Sequence, residues 1–147
     1  MKNIMDKGLE ILQICLDLGI IAHRISESES QTIIQSILKK FEVQKTIGHL
    51  AIYSNTSVAI PLENNEFIYS LQIPNKPIYL FFEQGQFHKD ILILITEGSR
   101  ICEIMKNSYT SEYFVSNIEQ SFIIAVNWYV IVGDGEASDW LTTLLDT

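Results

Sequence analysis

The sequence predicts an α+β fold: two N-terminal helices, a mostly antiparallel sheet of about six strands, one short inserted helix and a C-terminal helix. Three observations carry this. Apolar residues recur at helical spacing as far as Phe41, the period shortens to two after Thr46, and helical spacing returns only near Ile101 and after Ser138. Helices at the ends with strands between them imply an antiparallel sheet covered by helices on one face. The 147 residues suit one domain, 1–147, because domains hold roughly 100–200 residues. A hydrophobic content of 47% against 19% charged residues argues against intrinsic disorder.

From Ile4 to Leu18, apolar Ile4, Leu9, Ile11, Leu12, Cys15 and Leu16 oppose Asp6, Glu10, Gln13 and Asp17, and Gly19 fits the helix end. Ser26 and Glu29 have capping-box spacing ahead of the stripe Ile33, Ile34, Ile37, Leu38 and Phe41. Glu27 and Glu29 at the start and Lys39 and Lys40 near the end match the helix dipole. Strands are expected at His49–Ser54, Val58–Ile60 and Phe67–Ile73, the last with Phe67, Tyr69, Leu71 and Ile73 on one face. Pro74 and Pro77 punctuate the next connection. Ile78–Phe82 and Ile91–Ile95 are unbroken apolar runs, which implies central strands covered on both faces. Gly98-Ser99 opens a short helix carrying Ile101, Ile104 and Met105 inward. Glu112–Ser116 reads as a strand, Asn117–Gln120 as a turn, and Phe122–Val132 as a long strand or a strand with a bulge. A Ser138-Asp139 cap then starts the last helix through Trp140, Leu141, Leu144 and Leu145.

The net charge of −8 sets the molecule's field against polyanions. Nucleic-acid and anionic-membrane partners both need clustered Lys and Arg, and here Lys39, Lys40 and Lys45 are interrupted by Glu42. A basic protein partner is the favoured kind. A bilayer span takes about 20 consecutive apolar residues, and the longest tract, Phe122–Val132, is shorter and holds Asn127. Asp6, Lys7, Glu10 and Asp17 interrupt any signal-peptide core, so a cytoplasmic protein is expected, as monomer or homodimer. Cys15 and Cys102 lie on apolar helix faces, the setting of buried reduced thiols.

No motif search yields a catalytic centre. Gly133-Asp134-Gly135-Glu136-Ala137-Ser138 lies between strand and helix, as a dinucleotide fingerprint does. Its third glycine is replaced by Ser138, two acids would face the pyrophosphate, and no βαβ unit follows, so a turn with a helix cap is the better account. The same acids lack the regular ligand spacing of a calcium loop. His23, His49 and His88 are not spaced as ligands of one zinc ion; His88 with Asp90 and Glu83 makes a solvated connection rather than a metal site. Cys102 shares its face with Ile101 and Met105, which suits a core thiol rather than a nucleophile, and no Gly-x-Ser-x-Gly elbow is present. Neither a cofactor nor a metal is expected.

The C-terminal third gathers Tyr113, Phe114, Trp128, Tyr129 and Trp140 beside acids. Adjacent Trp128 and Tyr129 cannot both point to one face of a strand. One exposed ring rimmed by acids has the character of an interface anchor. The candidate partner-binding residues are therefore Glu112, Trp128, Tyr129, Asp134, Glu136 and Asp139.

From Ile78 to Gly133, the succession Phe81-Phe82, Ile91–Ile95, a short helix, Glu112-Tyr113-Phe114 and Asn127-Trp128-Tyr129-Val130 resembles small uncharacterised bacterial α+β proteins. Some such families are immunity proteins encoded beside polymorphic toxins. Trp128-Tyr129 stand where that pattern leads one to expect paired histidines. The resemblance implies a non-catalytic protein-binding module, an inhibitor of a basic toxin domain. The alternatives are a small enzyme or ligand-binding protein with a pocket near Cys102 or His88, and a structural subunit associating through a sheet edge.

Overall fold

The computed structural model describes residues 6–85, 87–109 and 112–145. The first helix, α1 (Lys7–Leu18), starts where the Asp6 carboxylate accepts the amides of Gly8 and Leu9, and stops at Gly19 with φ 74°. Its expected first turn, at Ile4 and Met5, lies outside the described residues. After a strand β1 (Ala22–Arg24), α2 (Glu27–Lys40) opens on Ser26 as its N-cap, with Glu29 bonded to the Ser26 hydroxyl rather than to its backbone amide as a full capping box would have it. The Glu29 amide donates to Ser26 Oγ at 3.4 Å while that hydroxyl donates to Glu29 Oε1 at 2.9 Å.

The remaining elements are β2 (Val58–Pro61), a 3-10 turn at Tyr69–Gln72, β3 (Ile78–Phe82), β4 (Leu92–Ile95), a 3-10 turn at Gly98–Arg100, α3 (Ile101–Lys106), β5 (Tyr113–Asn117), β6 (Phe122–Val126), β7 (Val130–Gly135) and α4 (Glu136–Leu145). Seven strands form one sheet in the order β1-β4-β3-β5-β6-β7-β2, and every pairing is antiparallel. The fold is α+β, with the N-terminal, inserted and C-terminal helices in the expected order.

Helices cover both faces of this sheet, not one. Ile78, Leu80, Phe82, Val115, Ile124 and Ile131 pack with Ile11 and Cys15 of α1, Ile101 and Ile104 of α3, and Ala137 and Leu141 of α4. On the opposite face Phe81, Leu92, Phe114, Ile123 and Ala125 meet Ile34 and Ile37 of α2, with Phe41, Leu50 and Ile52 alongside. Successive strand residues alternate between these layers, which is why the central strands read as unbroken apolar runs. Among the described residues, no helix is long and apolar enough to cross a membrane.

Four local expectations change. Residues 49–54 make a loop with a single bridge, Lys45 to Ala51, although Leu50 and Ile52 are buried. Residues 67–73 coil into turns and a 3-10 segment. Tyr69 and Ile73, four residues apart, are buried, while Phe67 and Leu71 face solvent, so the alternation came from a mixture of core and surface residues. The tract 122–132 is the hairpin β6–β7, turned at Asn127, and β7 continues through the Gly133-Asp134-Gly135 stretch expected to be a turn. Gly135 has φ 65°, and a Cβ there would lie 2.3 Å from the Ser121 carbonyl oxygen, so only glycine lets β7 pass directly into α4. Ser138 lies inside α4 rather than capping it, and its hydroxyl donates to the Thr56 carbonyl.

Candidate functional site

The antiparallel registers bring several loops to one end of the sheet. Tyr113 pairs with Val126, Phe82 with Tyr113, and Pro61 with Val130. Glu112, the 83–91 loop, the Asn127–Tyr129 turn and the segment after Pro61 therefore share that end. Five exposed aromatic residues, Phe67, Phe87, Tyr109, Trp128 and Tyr129, lie on these connections.

The Asn127 side chain builds the turn between β6 and β7. Its Oδ1 accepts the amides of Tyr129 and Val130, each at 2.8 Å, and its Nδ2 donates to the Leu50 carbonyl at 3.0 Å. Two-residue hairpin loops ordinarily take positive φ and use Asn-Gly or Asp-Gly. Here Trp128 and Tyr129 occupy the tip without positive φ, a conformation open to any residue, and the Asn127 bonds close the turn. Trp128 is 46% exposed and Tyr129 69%.

Glu112 supports this tip from below. Its carboxylate is buried and accepts the amides of His49 and Leu50, both at 2.9 Å. His49, held at φ 54°, stacks its ring on Tyr129 with centroids 5.4 Å apart. The opposite wall of the site is the turn following β2, where the Leu62 amide donates to the Tyr129 carbonyl at 2.9 Å. Between the walls lies a cleft of about 590 Å³ lined by Leu62, Glu63, Glu66, Phe67, Trp128 and Tyr129 among others. Buried Tyr69 anchors the Phe67 wall through a hydroxyl contact of 2.7 Å with Tyr113.

The six residues read from sequence thus separate. Trp128 and Tyr129 are exposed together at the tip, because the chain turns there instead of continuing as a strand. Glu112 lies at the same end but is an internal brace rather than a contact. Asp134 sits at the other end of β7, about 17 Å along the strand from Tyr129 at ~3.4 Å per residue. It is buried and accepts the hydroxyls of Ser54 and Thr56, each at 2.6 Å. Burial by itself would raise its pKa, yet bonds from Ser54, Thr56 and the Gly135 amide hold the carboxyl below its ordinary value. Glu136 bonds Ser121, and exposed Asp139 follows on α4, so neither adjoins the aromatic tip. The acids that do adjoin it, Glu63 and Glu66, lie between two expected strands where no motif marks them.

Cys102 is closed into the core, with its thiol donating to the Glu66 carbonyl and its pKa raised by burial. That shift is opposite to the one a nucleophilic thiol needs. His88 packs near Phe82, with ring centroids 6.0 Å apart, and the larger clefts are lined by neither Cys102 nor His88. Among the described residues, no three His, Cys, Asp or Glu side chains converge as a metal site would require. Comparison with family models, curated proteins and solved structures finds no match to this chain.

Proposed function

We propose that the protein is a non-catalytic protein-binding module that engages a basic partner through the aromatic tip and the acidic cleft beside it. The observation that carries this is the placement of Trp128 and Tyr129. The turn presents two large rings to solvent, held by Asn127 and backed by His49 and Glu112. Trp and Tyr are the residues over-represented among binding hot spots, and Glu63 and Glu66 give the surrounding surface the sign that attracts a basic partner. Inhibition of a basic toxin domain in the cytoplasm, in the manner of an immunity protein, is the form of this activity to which the sequence resemblance leads. The acidic surface opposes nucleic acid and anionic membrane as alternative partners.

The test starts from a partner purified from the cells that make the protein, followed by binding measurements with Trp128→Ala and Tyr129→Ala. Loss of at least about tenfold in affinity for one of them supports the proposal, in line with a hot-spot ring. Unchanged affinity in both, with unchanged thermal stability, overturns it.

A further inference from the structure

We infer that the cleft between the 62–68 segment and the aromatic tip receives an arginine side chain of the partner; this rests on the protein-binding reading above. Glu63 and Glu66 both line the cleft, and the carboxylate of neither has a hydrogen-bond or ion-pair partner among the described residues. Glu10, Glu103, Asp6 and Glu112 are engaged by Lys7, Arg100, Arg24 and two backbone amides, whereas the carboxylates of Glu27, Glu42, Glu119 and Asp139 are unpartnered among the described residues like those of Glu63 and Glu66; what sets these two apart is their place beside exposed rings. No Lys or Arg lines the cleft, so two negative charges three residues apart stand unneutralised in a molecule that already carries a net charge of −8. That field selects a cation.

The aromatic walls select which cation. Phe67, Trp128 and Tyr129 supply ring faces, and the stack on His49 fixes the Tyr129 ring. A guanidinium stacks on such faces and binds carboxylates through a planar fork, whereas an ammonium is a compact and strongly hydrated charge. A cleft of about 590 Å³ exceeds one side chain, so the arginine enters as the anchor of a longer segment. That segment is held by side chains and not by strand addition. The neighbouring edge strand ends at Pro61, which has no N–H, and the Pro61 carbonyl already accepts Asn65 Nδ2 at 2.9 Å.

The chain has two tryptophans, which provide a probe and its control. Trp140 packs against Phe122 at the other end of the sheet, ring centroids 4.9 Å apart. The blocked tripeptide acetyl-Gly-Arg-Gly-amide is titrated while both indole N–H resonances are followed by NMR. The Trp128 signal should move saturably and the Trp140 signal should not. Replacing the arginine by its neutral isostere citrulline should abolish the shift, and Glu63→Gln with Glu66→Gln should weaken binding by at least about fivefold at unchanged melting temperature. Equal shifts with citrulline, or no effect of the double variant, overturn the arginine assignment. So does the absence of any shift while Trp128→Ala still abolishes binding of the purified partner, a result that leaves the protein-binding reading standing. A saturable arginine shift combined with full partner binding by Trp128→Ala supports the arginine site and overturns the proposed docking face instead.

Discussion

Asp134 shows how far a single side chain departs from its appearance in sequence. Its two oxygens join the Ser54–Thr56 turn to the end of β7 through two hydroxyl bonds of 2.6 Å. Asp134→Asn keeps the volume but leaves one hydroxyl facing a donor, which should cost about 1–3 kcal/mol. The pH dependence has a definite sign. The folded pKa lies below the unfolded one, so the contribution is complete above the unfolded value of about 3.9 and is lost as pH falls through the folded value. Urea unfolding at pH 7 and pH 3 should therefore show a smaller difference for the variant than for the wild type. An equal difference would mean the carboxylate does not titrate with folding. Cys15 and Cys102 yield a second residue-scale expectation. Both are buried, burial pushes the Cys15 thiol up to about 11, and the Cys102 thiol is raised likewise. A thiol reagent should react slowly with both until denaturant is added, and rapid native reaction at either would contradict this packing. The thiols were legible because their neighbours along each helix are apolar. The buried acids were not, since, apart from the adjacent Gly135 amide, the groups that satisfy Asp134 and Glu112 are 78 and 62 residues or more away along the chain.

At the scale of elements, the sheet rewards alternation with burial on two sides, and this grades its residues. Leu92 lies fully buried against the α2 layer, whereas Leu94, two residues on and facing the same way, is only half-buried where β4 passes beyond that cover. Leu92→Ala should cost about 2–5 kcal/mol, as truncation of a closed-in leucine does, and Leu94→Ala distinctly less. Urea midpoints of the two variants check this, and equal losses would show that both faces are covered along the whole strand. Elements with self-contained signals were readable: the α2 N-cap pairs Ser26 and Glu29, three residues apart, and β3 and β4 declare themselves by continuous apolar runs. The failures have one cause, which is that period alone does not reveal which apolar residues are buried. Phe67 and Leu71 sit outside a turn that buries Tyr69 and Ile73, and a tract long enough for one strand contains a hairpin because Asn127 supplies the turn from its side chain. The short β1 was missed because three residues hold too little pattern, although its pairing extends the sheet beyond β4.

At the scale of the whole molecule, the fold places five of the six exposed Phe, Trp and Tyr rings among the described residues, and two unpaired acids, at one end of the sheet. The edges are poorly suited to association: β1 has three residues, and β2 has four and ends in proline. A partner that approaches the acidic surface is first drawn by net charge and then held by desolvated contact, so the two stages respond to different substitutions. Glu63→Gln with Glu66→Gln removes charge from the rim while leaving every ring in place. It should slow association and flatten its salt dependence, most visibly at low ionic strength where the Debye length reaches about 30 Å at 0.01 M. Trp128→Ala leaves the field intact and removes contact area, so its effect should fall mainly on dissociation. Glu119→Gln with Asp139→Asn alters the same number of charges at exposed positions away from the aromatic tip and serves as the control for net charge alone. Stopped-flow or surface-based kinetics with a purified partner distinguish the cases. If the control pair slows association as much as the Glu63 and Glu66 pair does, steering comes from the overall charge, and the end of the sheet that carries Trp128 has no special claim to the encounter.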